Sequence, residues 1–168
     1  MVIFKNKQWR FLLQLAAVIV VYFSLQALNT RGTVSGVAPA FDGVMLNGQH
    51  VSLIALKGQP VLVHFWATWC SICRIEQGTI ESIAKDVPVI TVATQSGAVD
   101  EVMDYIQTNT LHFPVFVDEY GKLAKQYGVR AFPTTFLIDA NGMIRNVEVG
   151  YTSELGLRAR LTLMKWLG

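Results

Sequence analysis

The segment Val61 to Trp66 reads VLVHFW, and Cys70 and Cys73, the chain's two cysteines, follow it directly. A run so rich in β-branched, aliphatic and aromatic residues, with almost no polar alternation, is a strand that must be covered on both faces. Helical spacing takes over from about Ser71 to Lys85, and Pro88 precedes a second buried strand at Val89 to Ala93. Strand, helix and strand make a βαβ unit with a right-handed crossover, so the chain is committed to an α/β fold with a dithiol at the strand-to-helix junction.

The remaining segments fit around that unit. Phe41 to Met45 and His50 to Leu53 flank Asn47-Gly48 and read as a hairpin whose turn residues supply positive φ angles. Helical spacing recurs from Gly97 to about Asn109, a short strand is expected at Phe113 to Val117, and a short helix at Gly121 to Tyr127 ends at Gly128. Thr135 to Ile138 and Met143 to Val149 are strands joined through Asp139-Ala140-Asn141-Gly142, and a last helix is capped by Thr152 or Ser153.

With 168 residues the chain has room for one ordinary domain and an appendage. The appendage is N-terminal. From Phe11 to Leu28, eighteen residues carry no charge, Pro or Gly. At about 1.5 Å each they span roughly 27 Å, close to a bilayer's hydrocarbon core. Lys5, Lys7 and Arg10 precede the run and Arg31 follows it, so the positive-inside rule keeps the N-terminus cytoplasmic. A cleaved signal peptide fits less well, because a cut after Ala27 puts Leu25 where a peptidase wants a small residue, and a core helix would need a polar face. The expected organisation is a basic N-terminus at 1–10, a transmembrane anchor at 11–28, a small-residue linker at 29–39, and one domain at 40–168. Setting aside Lys5, Lys7, Arg10 and Arg31 leaves ten basic residues against twelve acidic ones, a net charge near −2. The domain therefore has no basic footprint for nucleic acid.

Two cysteines separated by two residues at a helix start are the pattern of a redox dithiol. Unpaired N–H groups and the helix dipole favour a thiolate at Cys70, and Cys73 lies one turn on, within reach of its sulfur. A helix terminus supplies about 0.3–1 kcal/mol and occasionally ~2, enough to bring the Cys70 thiol from about 8.5 to near 7. Ser71 and Ile72 add one hydroxyl and no cation, so the pair suits reduction or exchange better than forced oxidation. A zinc site would need two further ligands, and His50, His64 and His112 form no second ligand pair. A purely structural disulfide closing so small a loop would constrain little in the unfolded chain.

The stretch FWATWCSIC, Phe65 to Cys73, resembles the active-site segment of membrane-anchored thioredoxin-like proteins of the TlpA, ResA and CcmG type, and most of all, through FWATWC…CRIEQG, their suppressor-for-copper-sensitivity branch. VSLIALKGQPVLVHFWATWC before the helix and YGVRAFPTTFLIDANG at Tyr127 to Gly142 support the resemblance, which covers roughly Ala38 to Leu167. It implies a thioredoxin-like fold, a central mixed sheet flanked by helices, extended by the N-terminal hairpin and one transmembrane helix. It makes Cys70 the attacking thiol, Cys73 the resolving thiol and Pro133 a cis-proline facing them. A cis bond there would expose the backbone of Phe132, with Thr134 beyond, to an extended substrate segment added as a strand.

Glu76, three residues after Cys73, matches an acid of the ResA type and could take the proton Cys73 loses. Equally, it could be a solvated helix glutamate pairing with a cation. His64 departs from the relatives, which often hold a buried aspartate there; a neutral imidazole could relay the proton or simply pack in the core. Ser71-Ile72 also departs, since relatives often carry Pro between the cysteines. Trp66 and Trp69 read as packing residues, with Trp69 at the docking surface.

By this resemblance the chain is a periplasmic thiol:disulfide oxidoreductase of a bacterial inner membrane, with a single N-terminal span. Its partners are protein or small thiol and disulfide substrates and a membrane electron donor of the DsbD or ScsB kind, and it needs no cofactor beyond the Cys70–Cys73 disulfide. The alternatives are a dedicated reductant for cytochrome c maturation and a copper-binding assembly factor of the Sco kind, although the latter pattern wants three residues between its cysteines and a later ligand His. A peroxiredoxin would want Thr where this chain has Ala67.

Overall fold

The computed structural model describes the backbone of residues 3–167; side chains are described for 8–21, 24, 28 and 30–166. The chain forms two compact units, 1–31 and 32–168.

In the first unit a helix, α1 (Ile3–Asn29), takes in the whole apolar run, and every side chain described from 8 to 21 is exposed. Among the described residues no helix is long and apolar enough to cross a membrane. The expected anchor at 11–28 includes 22, 23 and 25–27, whose side chains lie outside the described residues, as do Lys5 and Lys7.

The second unit is an α/β domain built on the strand that the sequence marks as buried. All six residues of β4 (Val61–Trp66) are buried. Before it come β1 (Gly36–Val37), β2 (Asp42–Val44) and β3 (His50–Ser52); after it come α2 (Ser71–Ile83), β5 (Val89–Thr94), α3 (Val99–Thr108), β6 (Val115–Asp118), α4 (Lys122–Gln126), β7 (Thr134–Ile138), β8 (Met143–Val149) and α5 (Glu154–Leu167). Six strands form one mixed sheet in the order β1-β8-β7-β4-β5-β6, with β4, β5 and β6 parallel and β7 and β8 antiparallel to their neighbours. Residues two apart along a strand face the same side, so β4 divides its side chains. Leu62 and Trp66 enter a core with Ile80 and Ile83 of α2, Val102 of α3, and Leu157 and Leu161 of α5. Val61, Val63 and Phe65 enter a second core with Leu123 and Ala124 of α4, Tyr127, and Phe41, Met45 and Leu53 of the hairpin region. This is the thioredoxin-like mixed sheet flanked by helices that the resemblance implies.

Two local expectations are corrected. The stretch 29–39, expected to be a tether, contains β1, which pairs with β8 through Gly36↔Ile144 and Val37↔Met143, while Ala38 N–H donates to the Gly142 carbonyl at 2.9 Å. A two-residue edge strand carries no periodicity; its partner across the sheet creates it. In the hairpin β2–β3, Gly48 has φ +81°, but Asn47 is not among the positive-φ residues. Instead its Oδ1 accepts the Gln49 N–H at 3.0 Å, the side-chain mimic of a turn that asparagine makes easily.

Candidate active site

The dithiol sits where β4 gives way to α2. Cys70 is the N-cap residue of α2, in an extended conformation, and its Sγ accepts the Cys73 N–H at 3.1 Å. The helix therefore starts on the sulfur, where an anion is favoured by the terminal N–H groups. Cys70 and Cys73 are joined as a disulfide, with Cα atoms 5.3 Å apart. Cys70 is 7% exposed and Cys73 1%, so the first cysteine is the one a partner can reach. Around it the surface is apolar: Trp69 is 60% exposed, Ile72 45% and Ile75 71%.

A neighbouring loop holds the approach to Cys70. The Thr68 N–H donates to Ser96 Oγ and the Ser96 hydroxyl donates to the Thr94 carbonyl, both at 3.1 Å. The Trp69 indole N–H donates to the Gln95 carbonyl at 2.9 Å. Gln95 has φ +48°, a left-handed conformation that costs a non-glycine residue about 1–2 kcal/mol. Buried Ser96 serves as both acceptor and donor, so Ser96→Ala is expected to destabilise the oxidised protein by about 1–2 kcal/mol in urea unfolding, from the lost bonds and the Thr68 N–H left bare. An unchanged midpoint would show that the loop is held by other contacts. Neither Gln95 nor Ser96 is singled out by the sequence.

The Phe132–Pro133 bond is cis, as the resemblance implies. The Phe132 ring meets Trp69 edge-to-face at 5.7 Å between centroids, and no backbone hydrogen bond runs to Phe132 among the described residues. Thr134 donates from Oγ1 to the Ala131 carbonyl at 2.8 Å, and the Pro133 carbonyl accepts the Gly150 N–H at 2.8 Å.

Glu76 is on the inward face of α2 and fully buried, not a solvated glutamate. Its Oε1 accepts the Thr152 N–H at 2.9 Å, while Oε2 is buried with no hydrogen-bond partner. Burial pushes its carboxyl up to about 7; the Thr152 N–H works against this and the Glu148 carboxylate adds to it. Thr152, a candidate cap for the last helix, thus binds Glu76, and the cap of α5 is Ser153, whose Oγ accepts the Gly156 N–H at 3.2 Å.

His64 is buried on the same side of β4 as Leu62 and Trp66. Its Nδ1 lies 2.9 Å from Thr135 Oγ1, and burial pulls the imidazole down to about 3, so it is neutral. The register continues the row, His64↔Thr135 and Thr135↔Glu148, to a carboxylate 2.7 Å from the Arg160 guanidinium. The site thus has a polar floor under α2, of which the sequence marked only His64.

The fold and this geometry agree with what the chain is similar to. The family model described as Redoxin matches residues 33–160. The thioredoxin-like protein YneN of Bacillus subtilis is 32% identical over 132 residues, covering 75% of this chain and 77% of that protein. The thiol-disulfide oxidoreductase ResA of Bacillus thuringiensis subsp. konkukian is 34% identical over 122 residues, 70% of each chain. Among solved structures, a putative thiol:disulfide interchange protein DsbE from Chlorobium tepidum superposes with a TM-score of 0.68 at 28% identity, over 81% of this chain and 99% of that one. A capped Cys70, the less buried of the pair, joined to Cys73 on this fold, with such relatives, has one reading: the chain belongs to the Redoxin family and is a thioredoxin-like thiol-disulfide oxidoreductase.

Proposed function

We propose that the protein reduces or exchanges disulfides in a bacterial periplasm, held to the inner membrane by α1 and recharged by a membrane electron donor of the DsbD or ScsB kind. The Cys70 thiolate attacks one sulfur of a substrate disulfide, forming the mixed disulfide and expelling the other sulfur as a thiolate. Cys73 then passes its proton to Glu76 and attacks the Cys70 sulfur, releasing the substrate's second sulfur as a thiolate and leaving the Cys70–Cys73 disulfide; two electrons from the donor and the proton returned by Glu76 restore the Cys70 thiolate and the Cys73 thiol. His64, neutral and tied to Thr135, steadies the floor beneath this exchange, and Trp69 and Phe132 with Pro133 form the substrate-docking edge; Thr134, expected there, is buried between β4 and β8 and backs it instead.

The observation that carries the reading is the capping of α2 by the reachable Cys70 while Cys73 and Glu76 lie buried behind it. The exposed apolar run of α1, with basic residues mainly before it, supports the anchor. The likeness of FWATWC…CRIEQG to the suppressor for copper sensitivity protein D supports a role in copper stress over cytochrome c maturation. Expression of Cys73→Ala in the native host, with capture of proteins disulfide-linked to Cys70, tests the function and identifies the substrates. If no partner is trapped and the wild-type protein exchanges with no model disulfide, the reading fails.

A further inference from the structure

Next to the dithiol runs a groove of about 550 Å³ whose walls include Thr94, Gln95, Tyr120, Lys125, Arg130 and Phe132. It shares two walls with the collar around Cys70. Phe132 packs edge-to-face on Trp69, and the Gln95 carbonyl holds the Trp69 indole. A segment bound to Cys70 and running past Phe132 would therefore enter this groove.

The groove's charge is one-sided. Lys125 and Arg130 are both exposed, no Asp or Glu lines the groove, and neither cation has an ion-pair partner among the described residues. Asp118, the buried acid at the head of α4, has its oxygens occupied by the Leu123 and Ala124 N–H groups at 3.1 and 2.9 Å. Two cations without carboxylates, on a domain whose net charge is negative, are not accounted for by surface pairing.

We propose that this groove receives the acidic part of the substrate: an extended polypeptide segment carrying Asp or Glu close to the cysteine that Cys70 attacks. The proposal rests on the exchange function argued above and names its substrate class. The apolar collar takes the residues flanking the cysteine, and Lys125 and Arg130 select the charge beyond them. Steering by such a pair raises encounter rates and is screened by salt.

The test uses the full chain, reduced, in neutral detergent. Its substrates are two short peptides, one bearing Glu on both sides of a cysteine linked to mercaptoethanol and its Gln twin, and the neutral hydroxyethyl disulfide as a reference. The expected result is a second-order rate constant for this single turnover about three- to tenfold higher for the Glu peptide at low salt, approaching parity at high salt. The double variant Lys125→Gln with Arg130→Gln should lose the preference and keep its rate on hydroxyethyl disulfide. Equal rates on the two peptides in the wild type, or a preference that survives in the double variant, would overturn the proposal. Failure of the wild type on all three substrates would instead bring down the exchange function, and this inference with it.

Discussion

Cys70→Ala is expected to lower exchange with a model disulfide to the uncatalysed background, a loss of at least about three orders of magnitude. Cys73 cannot take over the attack. It is 1% exposed, lies one helical turn inside the protein, and its own N–H points to the Cys70 sulfur. Cys73→Ala should behave differently: the first attack proceeds at a near wild-type rate, and the mixed disulfide then persists because nothing releases it. Release of the first substrate thiol and mass of the trapped adduct, followed over time in both variants, separate the two roles. Retention of more than a tenth of wild-type exchange by Cys70→Ala, or turnover by Cys73→Ala, would reverse or abolish the assigned order of attack.

The dithiol and the strand that carries it were legible before the fold was known, because the signal is local. A strand buried on both faces, a turn, and two cysteines one helical turn apart lie within Val61 to Cys73, and burial of all six residues of β4 follows from their chemistry alone. What the sequence withheld is made by contacts far apart in the chain. β1 exists because Gly36 and Val37 meet β8, and the polar floor exists because the register lines up His64, Thr135 and Glu148. The choice between a solvated and a buried Glu76 was open in the helical pattern of α2. It is settled by Thr152, 76 residues away, which donates to one oxygen of a fully buried carboxyl. Gln95 was invisible for a different reason: its left-handed backbone is held by its neighbours, and nothing in its side chain announces it.

The two titratable groups of the site should oppose each other in a stability profile of the oxidised protein. His64 has an ordinary value of 6.5 and is pulled down to about 3 by burial. Below pH 6.5 the unfolded chain therefore binds the proton more readily, and stability falls as pH drops from 6.5 to 3, by about 4–5 kcal/mol in all. Glu76 has an ordinary value of 4.5 and is pushed up to about 7, chiefly by burial. Between those limits the folded state binds the proton more readily, so stability falls as pH rises from 4.5 to 7, by about 3 kcal/mol. From pH 4.5 to 6.5 the two slopes cancel, and urea unfolding of the wild type should show a plateau there with a steep loss on the acid side. Glu76→Gln removes one slope, so its stability should climb by about 2–3 kcal/mol between pH 4.5 and 6.5; His64→Gln removes the other, and its stability should decline over the same range. Asp139, whose burial is outweighed by hydrogen bonds from Met143, Arg145 and Asn141, and Glu154, bonded by Ser82 and Arg158, are both held below the usual carboxylate range, so their loss falls on the acid side of the plateau. Profiles of Glu76→Gln and wild type that run parallel from pH 4.5 to 6.5 would mean that Glu76 keeps its charge when folded, and would remove it as the acceptor of the Cys73 proton.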